Sequence, residues 1–264
     1  MLLLVLLLLQ QAAADGIYGF YQPKGGPTPR CGPDGGFVFT NLKSWPARGN
    51  FLDEGLALGI ASLLGGNATS LLDVGAGSGQ YGAYYQALRS AGHPAPLWSG
   101  VDGARGVAEF TRRLGPSGAQ VTHVNLCDAS AADRVGVHDF AMSLAVGEHV
   151  PSRCLSAYLH LLHVSNRYGV ILSWDEDTGN GGTCHVSARS QRHVANTFGF
   201  LGDYRLDREA TNLLRANTSI SWLKRNLMVL RRNASEAREP PSMSDQAFKE
   251  RYGPRAVPPR SNVG

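Results

Sequence analysis

Short apolar runs alternate along the chain with stretches whose apolar positions recur every three or four residues. Ser70-Leu71-Leu72-Asp73-Val74 has the length and composition of a buried strand. Similar runs at 97–101, 120–126, 139–144 and 168–174 predict four more strands. The segments between them read as helices: 80–91, 104–114 (stopped by Gly115-Pro116), 130–135 and 151–165. In the last of these, Leu155, Tyr158, Leu159 and Leu162 fall on one face. A helix over 50–64 precedes the first strand, with Asn50 as its cap and Asp53 and Glu54 in its first turn. Beyond the fifth strand the pattern predicts a helix at 190–198, a short strand at 204–206 and a longer strand at 222–230. Regular alternation of this kind implies an α/β fold, a doubly wound and mostly parallel sheet with helices on both sides.

The ends of the chain depart from that pattern. Residues 1–10 are leucine-rich and too short to span a bilayer, which takes about 20 apolar residues. With Ala12-Ala13-Ala14 behind them they read as a signal peptide over 1–14, although no basic residue precedes the apolar run. Residues 15–49 are Gly/Pro-rich and expected to be irregular, with several aromatics able to pack on a domain over 50–232. Prolines return after 240, so 233–264 is expected to be a disordered tail. Three N-x-[ST] triplets, at Asn67, Asn217 and Asn233, fit a secreted or lumenal glycoprotein. Four cysteines permit up to two disulfides in three connectivities; the plain alternative is four small buried apolar side chains. The formal charge of +4 resides mostly in the last 34 residues, which hold seven Lys/Arg against four Asp/Glu. The nearly neutral remainder lacks a nucleic-acid footprint.

Candidate chemistry begins after the first strand, at Asp73-Val74-Gly75-Ala76-Gly77-Ser78-Gly79-Gln80. Glycine removes Cβ from a tight turn and tolerates positive φ, so a ligand could lie against bare backbone ahead of a helix N-terminus. A dinucleotide site would need G-x-G-x-x-G, and Gln80 stands where the third glycine should be. The G-x-G-x-G spacing behind an acid resembles motif I of the class I S-adenosylmethionine (SAM) dependent methyltransferases. The resemblance implies SAM as cofactor, carried over Asp73, Gly75, Ala76, Gly77 and Gly79, and a seven-stranded Rossmann-like sheet whose last strand is antiparallel.

In open α/β sheets ligands gather at the carboxyl ends of the strands. Asp102 stands there, 29 residues after Asp73, where a carboxylate can accept both ribose hydroxyls or cap the next helix. The resemblance gives Asp128 to the adenine amino group; the alternative is an N-cap for 130–135. Glu148 and His149 follow the fourth strand, on a loop that in these enzymes borders the SAM sulfur and the substrate. They are candidate acid/base residues, His149 because an unperturbed imidazole titrates near neutrality. The alternative is that they tie the loop to the next helix. His185 closes the glycine-rich loop after the fifth strand and is a candidate substrate ligand or base, or a structural hydrogen-bonder. No metal site is expected. C-x-x-C is absent, Asp175 and Asp177 lack calcium-loop spacing, and His160 and His163 read as an exposed helix face.

Over about 71–232, four runs resemble a group of uncharacterised eukaryotic methyltransferase-like proteins: S-L-x-V-G-E-H-x-P, G-V-I-L-S-W, G-x-G-G-x-x-H-V and I-x-W-L-K-x-N-L-M-V-L-R-R. Ala145 departs from that group, where an acid is usual, and Cys184 stands where a glycine is expected. The resemblance implies methyl transfer to an unidentified small-molecule, glycan or protein acceptor. The departure at Ala145 raises the alternative of an inactive scaffold on the same fold.

Overall fold

The structure, a computed structural model, describes residues 52–65, 69–114, 119–176, 184–201, 204–232 and three positions near the C-terminus (246, 247 and 250). The expected signal peptide, the Gly/Pro-rich segment and nearly all of the tail lie outside these residues, as do Asn67 and Asn233.

The elements are α1 (Glu54–Leu64), β1 (Ser70–Val74), α2 (Gln80–Ser90), β2 (Leu97–Asp102), α3 (Val107–Leu114), β3 (Val121–His123), α4 (Ala131–Val135) and β4 (His138–Leu144). Short 3-10 turns at Gly147–His149 and Ser152–Cys154 lead into α5 (Leu155–Val164). Then come β5 (Asn166–Ser173), α6 (Gln191–Phe200), β6 (Tyr204–Leu206), α7 (Arg208–Asn217), α8 (Ser221–Asn226) and β7 (Leu227–Arg232). The seven strands form one sheet in the order β3-β2-β1-β4-β5-β7-β6. β1 to β5 pair parallel, and β7 runs antiparallel to both β5 and β6. This is the doubly wound, mostly parallel seven-stranded sheet expected of the class I methyltransferase fold. Its strand order reverses at β1, so the crevice between the ends of β1 and β4 is where a ligand belongs.

Strand side chains alternate between two apolar layers. Leu72, Val74, Ala141, Val170 and Leu172 face α5 and α6 through Tyr158, Leu159 and Phe198. Leu71, Phe140, Met142 and Ile171 face α1, α2 and α7 through Leu56, Ile60, Tyr84 and Leu214. Burial on both faces explains why the central strands read as continuous apolar runs.

Several expectations need correction. The α1 cap is Asp53, not Asn50: its Oδ1 accepts from Leu56 N at 2.9 Å. Its Oδ2 accepts from Ser219 N, Ser219 Oγ and Ile220 N at 2.7, 3.0 and 2.8 Å. One fully buried carboxylate thus caps a helix and ties down a loop more than 160 residues away. Asp53→Ala strands those donors and is expected to cost about 3 kcal/mol, read from urea unfolding. The third strand is shorter than 120–126. Residues 222–230 are not one strand, because α8 runs to Asn226 before β7 begins. α7 was not anticipated at all. His160 and His163 are buried rather than exposed, and His163 Nδ1 lies 3.1 Å from Arg232 Nη2.

The cysteines are not simple apolar filler either. Cys127 and Cys154 form a disulfide between the β3–α4 connection and the start of α5. Cys184 is also disulfide-bonded. Closing a loop with a sequence separation of 27 is worth about 3.5 kcal/mol in chain entropy. The paired change Cys127→Ser with Cys154→Ser should lower stability by that amount, and reducing agent, which also opens the Cys184 disulfide, should lower the parent's stability by at least as much.

Candidate active site

The β1–α2 turn is built as its glycines require. Gly75, Gly77 and Gly79 have φ of 85°, 55° and 76°. The room left by their missing side chains, however, is not all open. A Cβ on Gly75 would meet Val146 Cγ2 at 2.2 Å, and one on Gly79 would meet the Ala119 carbonyl at 2.4 Å. At these two positions glycine admits neighbouring loops of the protein itself, which corrects the simple expectation of bare backbone under a ligand. Gly75 lets the loop after β4 close onto the turn.

The N–H groups of the turn are spent internally. Gly75 and Ala76 both donate to the Val101 carbonyl, at 2.8 and 3.0 Å, and Gly79 donates to the Ala76 carbonyl at 2.9 Å. Gly77 N donates to Asp102 Oδ2 at 2.8 Å, and Ala104 N to Asp102 Oδ1 at 2.7 Å. Asp102 therefore braces the turn and the start of the next connection, but it does not cap α3, which begins only at Val107. Each of its oxygens has a second lone pair for a hydroxyl.

Asp73 lies behind the turn, almost fully buried, with Trp98 Nε1 donating to its Oδ2 at 3.1 Å. Burial pushes its carboxyl up to about 7; the Trp98 bond opposes that and the nearby Asp102 charge adds to it. Burial also raises Asp102, against the bonds from Ala104 and Gly77. Two carboxylates and a turn with spent donors form a poor anion cradle and a good setting for a cation. Asp128 stands apart. Its Oδ1 accepts from Ser130 N and Oγ at 2.9 and 2.8 Å, and its Oδ2 pairs with Arg134 at 2.7 Å. The backbone bond from Ser130 leads the effects that hold its carboxyl below the usual range. These contacts are local, but they do not make Asp128 the cap of α4, whose N-cap is Ser130.

The loop after β4 and the segment after β5 converge. Val186 N and Ser187 N donate to the Glu148 carbonyl at 2.8 and 2.9 Å. His149 Nδ1 bonds the Cys184 carbonyl at 3.2 Å, and the rings of His149 and His185 meet edge to face at 4.8 Å. His185 Nδ1 lies 3.4 Å from Asp175 Oδ2, whose Oδ1 accepts from Asn226 Nδ2 at 2.7 Å. Glu148, His149 and His185 are thus brought together, each with a ligand-capable atom within 4.8 Å of the others. Of the loop 179–185, only Cys184 and His185 are described.

Electrostatics here differ from the expectation for His149. Burial, reinforced by His185, lowers its imidazole to about 4, so it is neutral at pH 7 and a weak base. Burial raises the Glu148 carboxyl to about 8, with the Asp175 charge adding to it. Asp175 and Val146 are the site residues that sequence reasoning missed. Asp175 carried a signal, being the first acid after the fifth strand.

No protein-family model matches the chain, and no curated protein matches it. Among solved structures it is similar to magnesium protoporphyrin IX methyltransferase from Synechocystis PCC 6803 with bound SAM. The identity is 14%, over 87% of this chain and 97% of that one, at a TM-score of 0.48. It is similar to the methyltransferase domain of bacterial CtHen1 at 19% identity, over 73% of this chain and all of that one, at a TM-score of 0.43. The [4+2]-cyclase SpnF shares 14% identity, over 85% of this chain and 92% of that one, at a TM-score of 0.42. Strand order and pairing in the chain itself give it the class I methyltransferase fold, with its candidate site where β1 and β4 diverge.

Proposed function

We propose that the chain is a SAM-dependent methyltransferase. SAM rests against the β1–α2 turn, with Asp102 on the ribose hydroxyls and the sulfonium in the negative field of Asp73 and Asp102. The acceptor enters between Glu148–His149 and His185. The observation that carries this reading is the turn itself. A pyrophosphate needs unspent N–H groups, and those of Gly75, Ala76, Gly77 and Gly79 are already used inside the protein. A sulfonium is a cation and needs none of them. Asp128 supports an adenine contact only by its place after β3.

Methyl transfer is an in-line displacement that depends on a desolvated, oriented nucleophile. His149, neutral and fixed through Nδ1, suits orientation and hydrogen bonding better than proton abstraction. The acceptor is a small molecule, glycan or protein; the near-neutral domain disfavours nucleic acid. The Cys127–Cys154 disulfide and the exposed side chain of Asn217 support a secretory lumen. No helix among the described residues is long and apolar enough to cross a membrane. Labelled SAM added to the protein with fractionated lysate should mark one class of molecule. SAM binding without label in any fraction would favour the inactive scaffold that Ala145 suggests.

A further inference from the structure

We propose that Glu148, His149 and His185 bind a divalent transition-metal ion of the zinc or manganese class. The first argument is geometric. Ligand atoms about 2.1 Å from a tetrahedral zinc stand about 3.4 Å apart. The atoms these residues offer already lie within 4.8 Å of one another, so small side-chain rotations close the site.

The second argument is an unmet need. Glu148 is 1% exposed, and its Oε2 is buried with no hydrogen-bond partner among the described residues. No Lys, Arg or His forms a salt bridge with it among those residues. A buried carboxylate oxygen in that position requires a cation or a proton.

The third argument lies behind the ligands. A carbonyl can only accept, so the His149 Nδ1 contact with Cys184 puts the ring proton on Nδ1 and the lone pair on Nε2. His185 Nδ1 stands at ion-pair distance, 3.4 Å, from the Asp175 carboxylate, which Asn226 holds in turn. A carboxylate or carbonyl behind each imidazole is the usual support of metal-bound histidine. The only described non-glycine residues with φ in the left-handed region are Ala145 (54°) and Cys184 (66°). Both belong to the segments that bring these three side chains together, and such backbone strain gathers at ligand sites.

Two imidazoles and one carboxylate favour zinc, manganese, cobalt or iron over calcium. Three protein ligands leave at least one position for an acceptor oxygen. The use of the ion, though not its binding, rests on the SAM reading. It would bind an acceptor hydroxyl and ease loss of its proton to water. The O–CH3 bond then forms as the S–CH3 bond breaks. Sulfur keeps the electron pair, leaving S-adenosylhomocysteine and the methyl ether.

The test is equilibrium dialysis of the full chain, disulfides intact and stripped with chelator, against ZnCl2 and separately MnCl2. Bound metal is measured by elemental analysis, and a SAM titration is run on the same sample. One ion per chain is expected, with affinity at least about 100-fold weaker in His185→Ala and Glu148→Gln and about 10-fold weaker in Asp175→Asn. The metal should raise the melting temperature of the parent and not of His185→Ala. Equal metal uptake by the parent and a folded His149→Ala/His185→Ala double variant overturns the site. So does a parent that binds SAM but neither metal. Metal bound without SAM leaves the site standing and removes the methyltransferase reading.

Discussion

Asp102→Ala is expected to weaken SAM binding by about 100-fold or more while the protein still folds. A carboxylate accepting two hydroxyls makes charge-assisted bonds of about 1.5–3 kcal/mol each, and both vanish with the side chain. The substitution also frees Gly77 N and Ala104 N, which Asp102 now holds at 2.8 and 2.7 Å. Some stability should therefore go with the affinity, and the turn should loosen. Asp102→Asn separates the two effects. Its amide oxygen can still accept one backbone N–H, whereas its NH2 faces the other as donor against donor. Calorimetric SAM titration beside a thermal melt reads both quantities. Unchanged affinity in a folded Asp102→Ala protein would remove Asp102 from the ribose.

Asp73→Asn is expected to stabilise the free protein at pH 8 by up to about 4 kcal/mol, and not at pH 4. The carboxyl ionises near pH 7 in the fold and near 3.9 when unfolded. Below pH 4 both states hold the proton and Asp73 contributes no pH dependence. Between 4 and 7 the native state binds the extra proton, so stability falls as pH rises; above 7 the full penalty persists. Asparagine removes that penalty and keeps an oxygen to accept from Trp98 Nε1. The same buried charge should favour a bound sulfonium, so SAM should bind the parent more tightly at pH 8 than at pH 5. That slope should disappear in Asp73→Asn. Urea midpoints across pH, with and without SAM, check both expectations.

What could be read from the sequence followed how locally each feature is encoded. β1 and the turn after it came out residue for residue, because a doubly buried strand must be apolar and its exit needs glycine. α7 was hidden because Ala210, Thr211 and Leu214 are its only buried positions, set among charged and polar neighbours. Trp222 to Leu230 read as one strand because only three residues separate Trp222 and Leu223 from the apolar run that is β7. In α8, Leu223 packs inward and Asn226 turns to Asp175. The Asp53 bonds span more than 160 residues, and no local pattern announces them. The same distance effect governs the candidate site. Glu148, His149 and His185 could each be singled out from their places at strand ends. Their meeting depends on the backbone bonds from Val186 and Ser187 to the Glu148 carbonyl. The displaced acidities of Asp73, Glu148 and His149 likewise come from burial, which the order of residues does not disclose.

The central claim is that the β1–α2 turn receives a cationic sulfonium nucleoside. Its most direct test is calorimetric titration of the full, oxidised chain with SAM, S-adenosylhomocysteine and NAD. Saturable one-to-one binding of SAM and S-adenosylhomocysteine, with none of NAD, is the predicted result. A folded protein that binds NAD, or that binds none of the three, would contradict it.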